Sequence, residues 1–285
     1  MIIAGIILYN PDKEILKQNI ESIRKQVDEV VVINNASTIS ISWLYEFIAD
    51  RNINISIIEN TLNRGVAHAL NQIMEYGEEA GAEWVLTLDQ DSVCPDNLIN
   101  IYRKYISIPR VAVLSPLILD RNSMDEKIDK GDGIQEIARC ITSASLNNVG
   151  IWKQLGGFEE ILFIDYVDFE YCCRVRENNF KIYRCNEAVL LHRLGDMSIK
   201  RMGKQSIHVT NHSASRRYYY ARNACCCHKW HKKEYPLNKL IYHIGVLALK
   251  ILFYEEKKIY KLKEIIRGIH DSKNIKKQSK ICRRN

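Results

Sequence analysis

A doubly wound α/β fold on a mostly parallel sheet is what this sequence predicts, and three observations carry that expectation. Strand-like and helix-like segments alternate with short connections through the first third of the chain. The strand-like segments are continuous apolar runs, as in strands buried on both faces. Polar clusters close three of them. Such alternation gives right-handed crossovers, with helices covering both faces of one sheet.

Ile2 to Leu8 is apolar throughout and rich in isoleucine, and it ends on Tyr9-Asn10. Ile15, Leu16, Ile20, Ile23 and Val27 then recur at helical spacing. Val30 to Ile33 is a second strand, closed by Asn34-Asn35-Ala36-Ser37. Trp43, Leu44, Phe47 and Ile48 mark a helix, and Ile53 to Ile58 a third strand. Asn63-Arg64-Gly65 opens a helix whose inner face is Val66, Leu70, Ile73 and Met74. Trp84 to Leu88 is a fourth strand that runs into Asp89-Gln90-Asp91. Beyond it, residues 120–132 are polar and predict a surface loop, Arg139 to Asn147 a strand, and Gly156-Gly157-Phe158 a turn. Asp165 to Asn178 predicts a helix with Val167, Tyr171 and Cys172 inward, and the chain after Ser213 is helical, aromatic and basic.

The 285 residues allow one large α/β domain, or a domain of about 200 residues with an appendage. With 46% hydrophobic and 26% charged residues, the composition is that of a folded chain. The net charge of +7 is uneven: from Lys200 onward 22 basic residues face 5 acidic ones, leaving 19 basic and 29 acidic before it. A basic tail on an acidic body calls for an anionic partner. The nine cysteines include the contiguous runs Cys172-Cys173 and Cys225-Cys226-Cys227, unlike the C-x-x-C pairs of zinc sites. Met1 leads straight into an apolar strand without a basic leader, so reduced thiols in a cytosolic protein are expected. No run reaches the ~20 apolar residues of a membrane span. Leu240, Ile244, Leu247, Ile251 and Tyr254 instead form one helical stripe, accompanied by Lys239, Lys250, Lys257, Lys258, Lys261 and Lys263. Either the stripe lies on an anionic membrane surface, or it packs on the protein body or on a second copy in a homodimer.

In open α/β sheets ligands sit at the carboxyl ends of the strands, where all three polar clusters fall. At the end of an extended strand, Asp89 and Asp91 point to one side, and paired carboxylates suit Mg2+ or Mn2+ holding a diphosphate. The same triplet also serves as a solvated turn or a helix cap. Asp165 and Asp168 read either as caps of a helix or as a general base for an acceptor hydroxyl. A helix N-terminus lowers a carboxylate pKa, so a base there requires burial. His192, closing the run Ala188 to Leu191, is a strand-end histidine or a ligand. Arg216-Arg217 and Arg222-Asn223 form a phosphate clamp or a basic helix face.

The order of these pieces resembles glycosyltransferase family 2 over about residues 1 to 225. The resemblance rests on Tyr9-Asn10-Pro11, Val31-Val32-Ile33-Asn34-Asn35-Ala36-Ser37, Asn63-Arg64-Gly65-Val66-Ala67 through Asn71, and Leu86-Thr87-Leu88-Asp89-Gln90-Asp91-Ser92. Gly156-Gly157-Phe158, Asp168-Phe169-Glu170 and Arg174 complete it. The Leu-Asp-Gln-Asp-Ser and Phe-Ile-Asp-Tyr-Val-Asp segments and the late Arg222-Asn223 look like the rhamnosyltransferase branch of O-antigen and capsule assembly.

The resemblance implies a GT-A fold with a nucleotide-sugar-binding half at 1–115, an acceptor-binding half at 116–225 and a basic helical tail at 226–285. Tyr9, Asn10, Asn34, Asn63, Gly65, Asp89 and Arg222 would bind the donor. Asn34 stands where the family usually has Asp, and its amide can still accept from a pyrimidine. Asp91, with Asp89 and His192, would hold Mg2+ or Mn2+. Asp168 matches the catalytic base; Val167 replaces the acid that usually precedes it, leaving Asp165 and Glu170 as helpers. An inverting transfer follows, with dTDP-L-rhamnose as donor and a UDP-hexose second. The acceptor would be a glycan on a polyprenyl-diphosphate lipid, met at the inner face of the cell membrane. A nucleotidyltransferase usually has a basic glycine-rich loop where this chain has Tyr9-Asn10-Pro11-Asp12, and an NAD oxidoreductase has a G-x-G-x-x-G that is missing here. Nucleic acid would explain the tail but not the acidic strand ends, and is not expected as a partner.

Overall fold

The computed structural model describes residues 1–51, 53–120, 131, 133–192, 198–202 and 205–279. Strand β1 (Ile2–Leu8) is followed by α1 (Lys13–Ile23), β2 (Glu29–Asn34), α2 (Ser42–Arg51), β3 (Ile55–Glu59), α3 (Val66–Glu79) and β4 (Trp84–Asp89). Next come α4 (Leu98–Arg103), β5 (Val111–Asp120), the short β6 (Ile134–Glu136), β7 (Ser145–Asn148), α5 (Val149–Leu155) and α6 (Val167–Glu177). The chain continues through β8 (Lys181–His192), β9 (Ser198–Met202) and β10 (Gln205–Val209) to α7 (Ala214–Trp230), α8 (Leu237–Tyr254) and α9 (Lys258–Asp271).

The main sheet has the order β3-β2-β1-β4-β7-β5-β8-β6. β1 to β4 are mutually parallel, β7 runs antiparallel to both β4 and β5, and β8 is parallel to β5. Alternate residues of β1 and β2 feed two cores. Ala4, Ile6, Leu8, Val30 and Val32 meet Leu16, Ile20, Leu44 and Phe47 of α1 and α2 on one face. Ile3, Ile7, Val31 and Ile33 meet Leu70, Ile73 and Met74 of α3, and Val167 and Tyr171 of α6, on the other. Burial on both faces is why these strands read as unbroken apolar runs. All four strand ends that matter for chemistry thus open on one edge of the sheet.

The structure departs from the sequence expectation in several places. The strand expected over Arg139 to Asn147 is confined to Ser145–Asn148. Ala144 has φ +56°, Thr87 Oγ1 donates to the carbonyl of Thr142, and Ser145 Oγ to that of Ile141. Polar side chains there satisfy the backbone locally, so the ladder does not extend. The boundaries at 115 and 225 fall inside β5 and α7, so sheet and helix run continuously across them. Residues 121–130 and 132, most of the loop expected after Asp120, lie outside the described residues.

The tail is a helical layer packed on the body. Cys226 of α7 joins the core under α6, and Ala221 packs against Leu247 and Ile251 of α8 and Ile265 of α9. At the α7–α9 crossing a Cβ on Gly268 would stand 2.4 Å from the carbonyl oxygen of Tyr218, so only glycine allows that approach. The stripe Leu240, Ile244, Leu247 and Ile251 is therefore turned toward protein, so of the two placements expected for these residues the structure shows packing on the body. Lys261, counted among the surface lysines, is buried and pairs with Glu255 at 2.8 Å.

Candidate active site

The carboxyl ends of β1, β2 and β3 are laced together by amide side chains. Asn10 has φ +51°; its N–H donates to Ser37 Oγ at 2.9 Å, and its Oδ1 accepts from the Thr38 N–H at 2.8 Å. Tyr9 is exposed, and its N–H donates to Gln90 Oε1 at 2.9 Å. The end of β1 is thereby joined to the Asp89-Gln90-Asp91 loop. Asn34 is buried, accepts from the Ser37 N–H at 3.0 Å and donates to Glu59 Oε2 at 3.3 Å. Its neighbour Asn35 donates to Asn63 Oδ1 at 3.1 Å and to the Gly65 carbonyl at 3.2 Å.

Gly65 sits at φ +89°, where a Cβ would fall 2.5 Å from the Phe163 carbonyl oxygen. That oxygen accepts from the Val66 N–H at 2.7 Å, so the start of α3 caps the loop that leads to α6. A glycine is required both by the dihedral and by the contact. Beyond it the chain bends through Phe163, Asp165 and Tyr166, three non-glycine residues at positive φ. Such strain persists where surrounding contacts over-determine it, and it clusters at functional sites. Here the contacts come from α7. Asn223 is buried and donates its amide to the carbonyls of Leu162, Ile164 and Asp165. Arg222 is also buried and donates to the carbonyls of Ile161 and Leu162. The Arg216 guanidinium pairs with the Asp165 carboxylate at 3.1 Å.

Asp165 is therefore not the cap of α6: Tyr166, at φ +65°, holds that position, and Asp168 is the second helical residue. Asp168 is half-buried, and its Oδ1 accepts from the Phe169 N–H at 2.7 Å. Burial pushes its carboxyl up to about 6 against that hydrogen bond, and the charges of Asp165 and Asp89 push in the same direction. A carboxylate poised there is matched to proton transfer near neutral pH. Asp89, Asp165 and Asp168 thus form one electrostatic neighbourhood. Asp165 and Asp168 also line a cavity of about 550 Å3, walled by Leu117 and Ile118 of β5, Arg139, Tyr220 and His243. Glu170, by contrast, turns away. Burial would raise its carboxyl, but Arg174, His231 and Lys277 bring it down to about 2, and its carboxylate accepts from Arg174 Nε at 2.9 Å. It joins α6 to the tail through His231 and Lys277.

Asp89 and Asp91 are both half-buried at the end of β4, where the Asp89 carbonyl accepts from Asn19 Nδ2 at 2.7 Å. Their carboxylates offer hard oxygen ligands of the kind a divalent ion uses when water and phosphate complete its shell. Among the described residues no three His, Cys, Asp or Glu converge as a ready-made cage. His192 ends β8 with its backbone opposite Asp120; its side chain lies outside the described residues.

The family model for glycosyl transferase family 2 matches residues 4–173, more than half of the chain. The chain belongs to this family. The matched span runs from β1 into α6 and takes in the strand-end rim, the Asp89-Gln90-Asp91 loop and Asp168. A dTDP-rhamnosyl transferase RfbF of Shigella flexneri is 30% identical over 238 residues, 78% of each chain. GalNAc-T7, solved with UDP, GalNAc and Mn2+, superposes with a TM-score of 0.65 at 14% identity, covering 95% of this chain and 56% of that one. The mannosyltransferase PcManGT of Pyrobaculum calidifontis, solved with GDP-Man and Mn2+, gives 0.58 at 15% identity over 97% and 76%. The fold is GT-A, and the family member described here is a glycosyltransferase.

Several residues of the rim were not legible in the sequence. Glu59 carried no signal of its own, while Asn35 and Gln90 stood in the polar strand-end clusters without any indication of the partners they bond. Asn223 had a signal in its pairing with Arg222, but that signal pointed to phosphate.

Proposed function

We propose that this glycosyltransferase moves L-rhamnose from dTDP-L-rhamnose to a hydroxyl of a glycan carried on polyprenyl diphosphate, at the inner face of the cell membrane, with inversion at the anomeric carbon. The observation that carries the reading is Asp168, held near a pKa of about 6 at the cavity and within electrostatic reach of Asp89. The 30% identity to the Shigella flexneri dTDP-rhamnosyl transferase favours the rhamnose donor.

In this reading the Asp168 carboxylate takes the acceptor hydroxyl proton as its oxygen bonds to the anomeric carbon. The bond from that carbon to the diphosphate oxygen breaks, and its electron pair leaves with the nucleoside diphosphate. A divalent ion, Mg2+ or Mn2+, would supply charge neutralisation for that leaving group, held by Asp91 and Asp89 with His192. Tyr9, Asn10, Asn34, Asn63 and Gly65 form the donor rim. Asp165, fixed by Arg216, helps orient the acceptor. We assign Arg222 to the loop it holds, since its guanidinium is buried among carbonyls. Residues 1–115 then serve the donor and 116–225 the acceptor.

A UDP-hexose is the second donor reading, favoured by the UDP bound in GalNAc-T7. A screen of dTDP-, UDP- and GDP-sugars with Mn2+ or Mg2+, scored by nucleotide release, separates the two. Release from a UDP-sugar with none from dTDP-L-rhamnose overturns the rhamnose assignment.

A further inference from the structure

α8 has two apolar faces, and only one is covered. Leu240, Leu247 and Ile251 are buried against α7 and its neighbours. On the opposite side Ile241, Tyr242, Leu249, Leu252 and Phe253 are exposed, Ile241 by 63% and Phe253 by 69%. At 100° per residue these five, with Gly245 and Asn238, share one side of the helix, and none of them is charged. Ile259 and Ile266 of α9, which touches α8, are exposed to a similar degree. Exposed apolar clusters of this kind mark interaction surfaces.

The charges around it select the partner. Lys239, Lys257, Lys258 and Lys263 are exposed at the ends of α8 and along α9, whereas Glu256 is the one exposed acid between residues 237 and 270. Apolar residues edged by lysines complement an anionic lipid surface. The 18 residues of α8 are long and apolar enough to cross a bilayer, but its inner face is committed to α7 and α9, so the helix lies on the surface.

The same helix reaches the active site. His243 lines the cavity that holds Asp168, and its Nδ1 lies 2.7 Å from Tyr235 Oη, which lies 3.0 Å from Tyr166 Oη beside Asp165. Tyr242, 67% exposed, lines an adjoining cavity of about 270 Å3 together with Asp165. One flank of α8 thus faces the catalytic carboxylates while the next faces outward.

We propose that the outer face of α8, continued by Ile259 and Ile266, docks on anionic lipid and that α8 guides the glycan of a membrane-anchored acceptor from the bilayer to Asp165 and Asp168. This rests on the acceptor reading above. The test uses the full chain and sedimentation with phosphatidylcholine vesicles with or without phosphatidylglycerol. Wild type is expected to bind the anionic vesicles at least about tenfold more tightly than Leu249→Glu/Phe253→Glu or Lys239→Glu/Lys257→Glu/Lys258→Glu. Leu249→Glu/Phe253→Glu should lose turnover on a lipid-linked glycan yet keep it on the same glycan with a short soluble aglycone. Equal sedimentation of wild type and variants overturns the lipid face. A wild-type dimer that becomes monomeric in Leu249→Glu/Phe253→Glu, with vesicle binding absent throughout, also overturns it and gives the face to a second copy. Calorimetry of dTDP with Mn2+ is read in parallel: its failure in wild type sinks the proposed donor without touching the vesicle result.

Discussion

Asn223 donates its side-chain amide to the backbone carbonyl of Asp165 at 2.9 Å, and to those of Leu162 and Ile164 at 2.7 Å each. A buried helical side chain therefore holds the bend that delivers α6 and Asp168 to the cavity. Asn223→Ala leaves buried carbonyls without a donor, an expected cost of about 1–3 kcal/mol. The bend is then free to relax, and small misplacements cost heavily in catalysis. Turnover should fall by about tenfold or more, with nucleotide affinity by calorimetry unchanged. Weakened nucleotide binding with normal turnover would show that the bend serves the donor instead.

Asp168→Asn should keep nucleotide binding and lose transfer, because the lost proton acceptor acts on the acceptor hydroxyl. Asp165→Asn, which loses the partner of Arg216 and one of the charges that raise the Asp168 carboxyl, should lower turnover but retain a measurable part of it. An inactive Asp165→Asn beside a nearly normal Asp168→Asn would reassign the base.

The raised carboxyl of Asp168 also makes a pH prediction. For wild type, turnover should rise with pH through about 6 and then level. Stability runs the other way. A folded pKa above the unfolded value of 3.8 means that protonated Asp168 is favoured by folding, and that contribution is lost as pH rises through about 6. Asp168→Asn should therefore be more stable than wild type at pH 8, by about 1–3 kcal/mol, with the gap closing below pH 4. Urea melts of the two proteins across that range measure it, and a gap that does not vary with pH refutes the assignment.

Asp91→Asn should abolish metal-dependent transfer without altering the melt, since a half-buried strand-end carboxylate adds little to stability. Excess EDTA on wild type should have the same effect. Full turnover in either condition removes Asp91 from the metal site.

Glu170 and Arg174 are both fully buried and joined by several contacts of 2.7–2.9 Å. Arg174→Met removes the fully buried partner of Glu170 and leaves it only His231 and Lys277, so it should cost about 3–5 kcal/mol. Paired replacement with apolar residues should recover much of that loss. A cost below ~1 kcal/mol for Arg174→Met in urea denaturation would mean that water reaches the pair.

From the sequence alone came the parallel strands, because burial on both faces leaves unbroken runs such as Ile2 to Leu8, and the strand-end carboxylates Asp89 and Asp91, because strand ends in such sheets are ligand edges. The family likeness was also legible, since it lies in the order of short motifs. Which partners Asp165, Glu170 and Arg222 meet was decided only by tertiary structure. Capping acid, helper acid and phosphate clamp all look alike as residue types. Arg216, the Arg174–His231–Lys277 cluster and the carbonyls of Ile161 and Leu162 are distant in sequence and became partners only on folding. The α8 stripe shows the same limit. A helical period tells which residues share a face, but not which surface covers it, and Leu240, Leu247 and Ile251 turned inward because α7 and α9 supplied an apolar partner there.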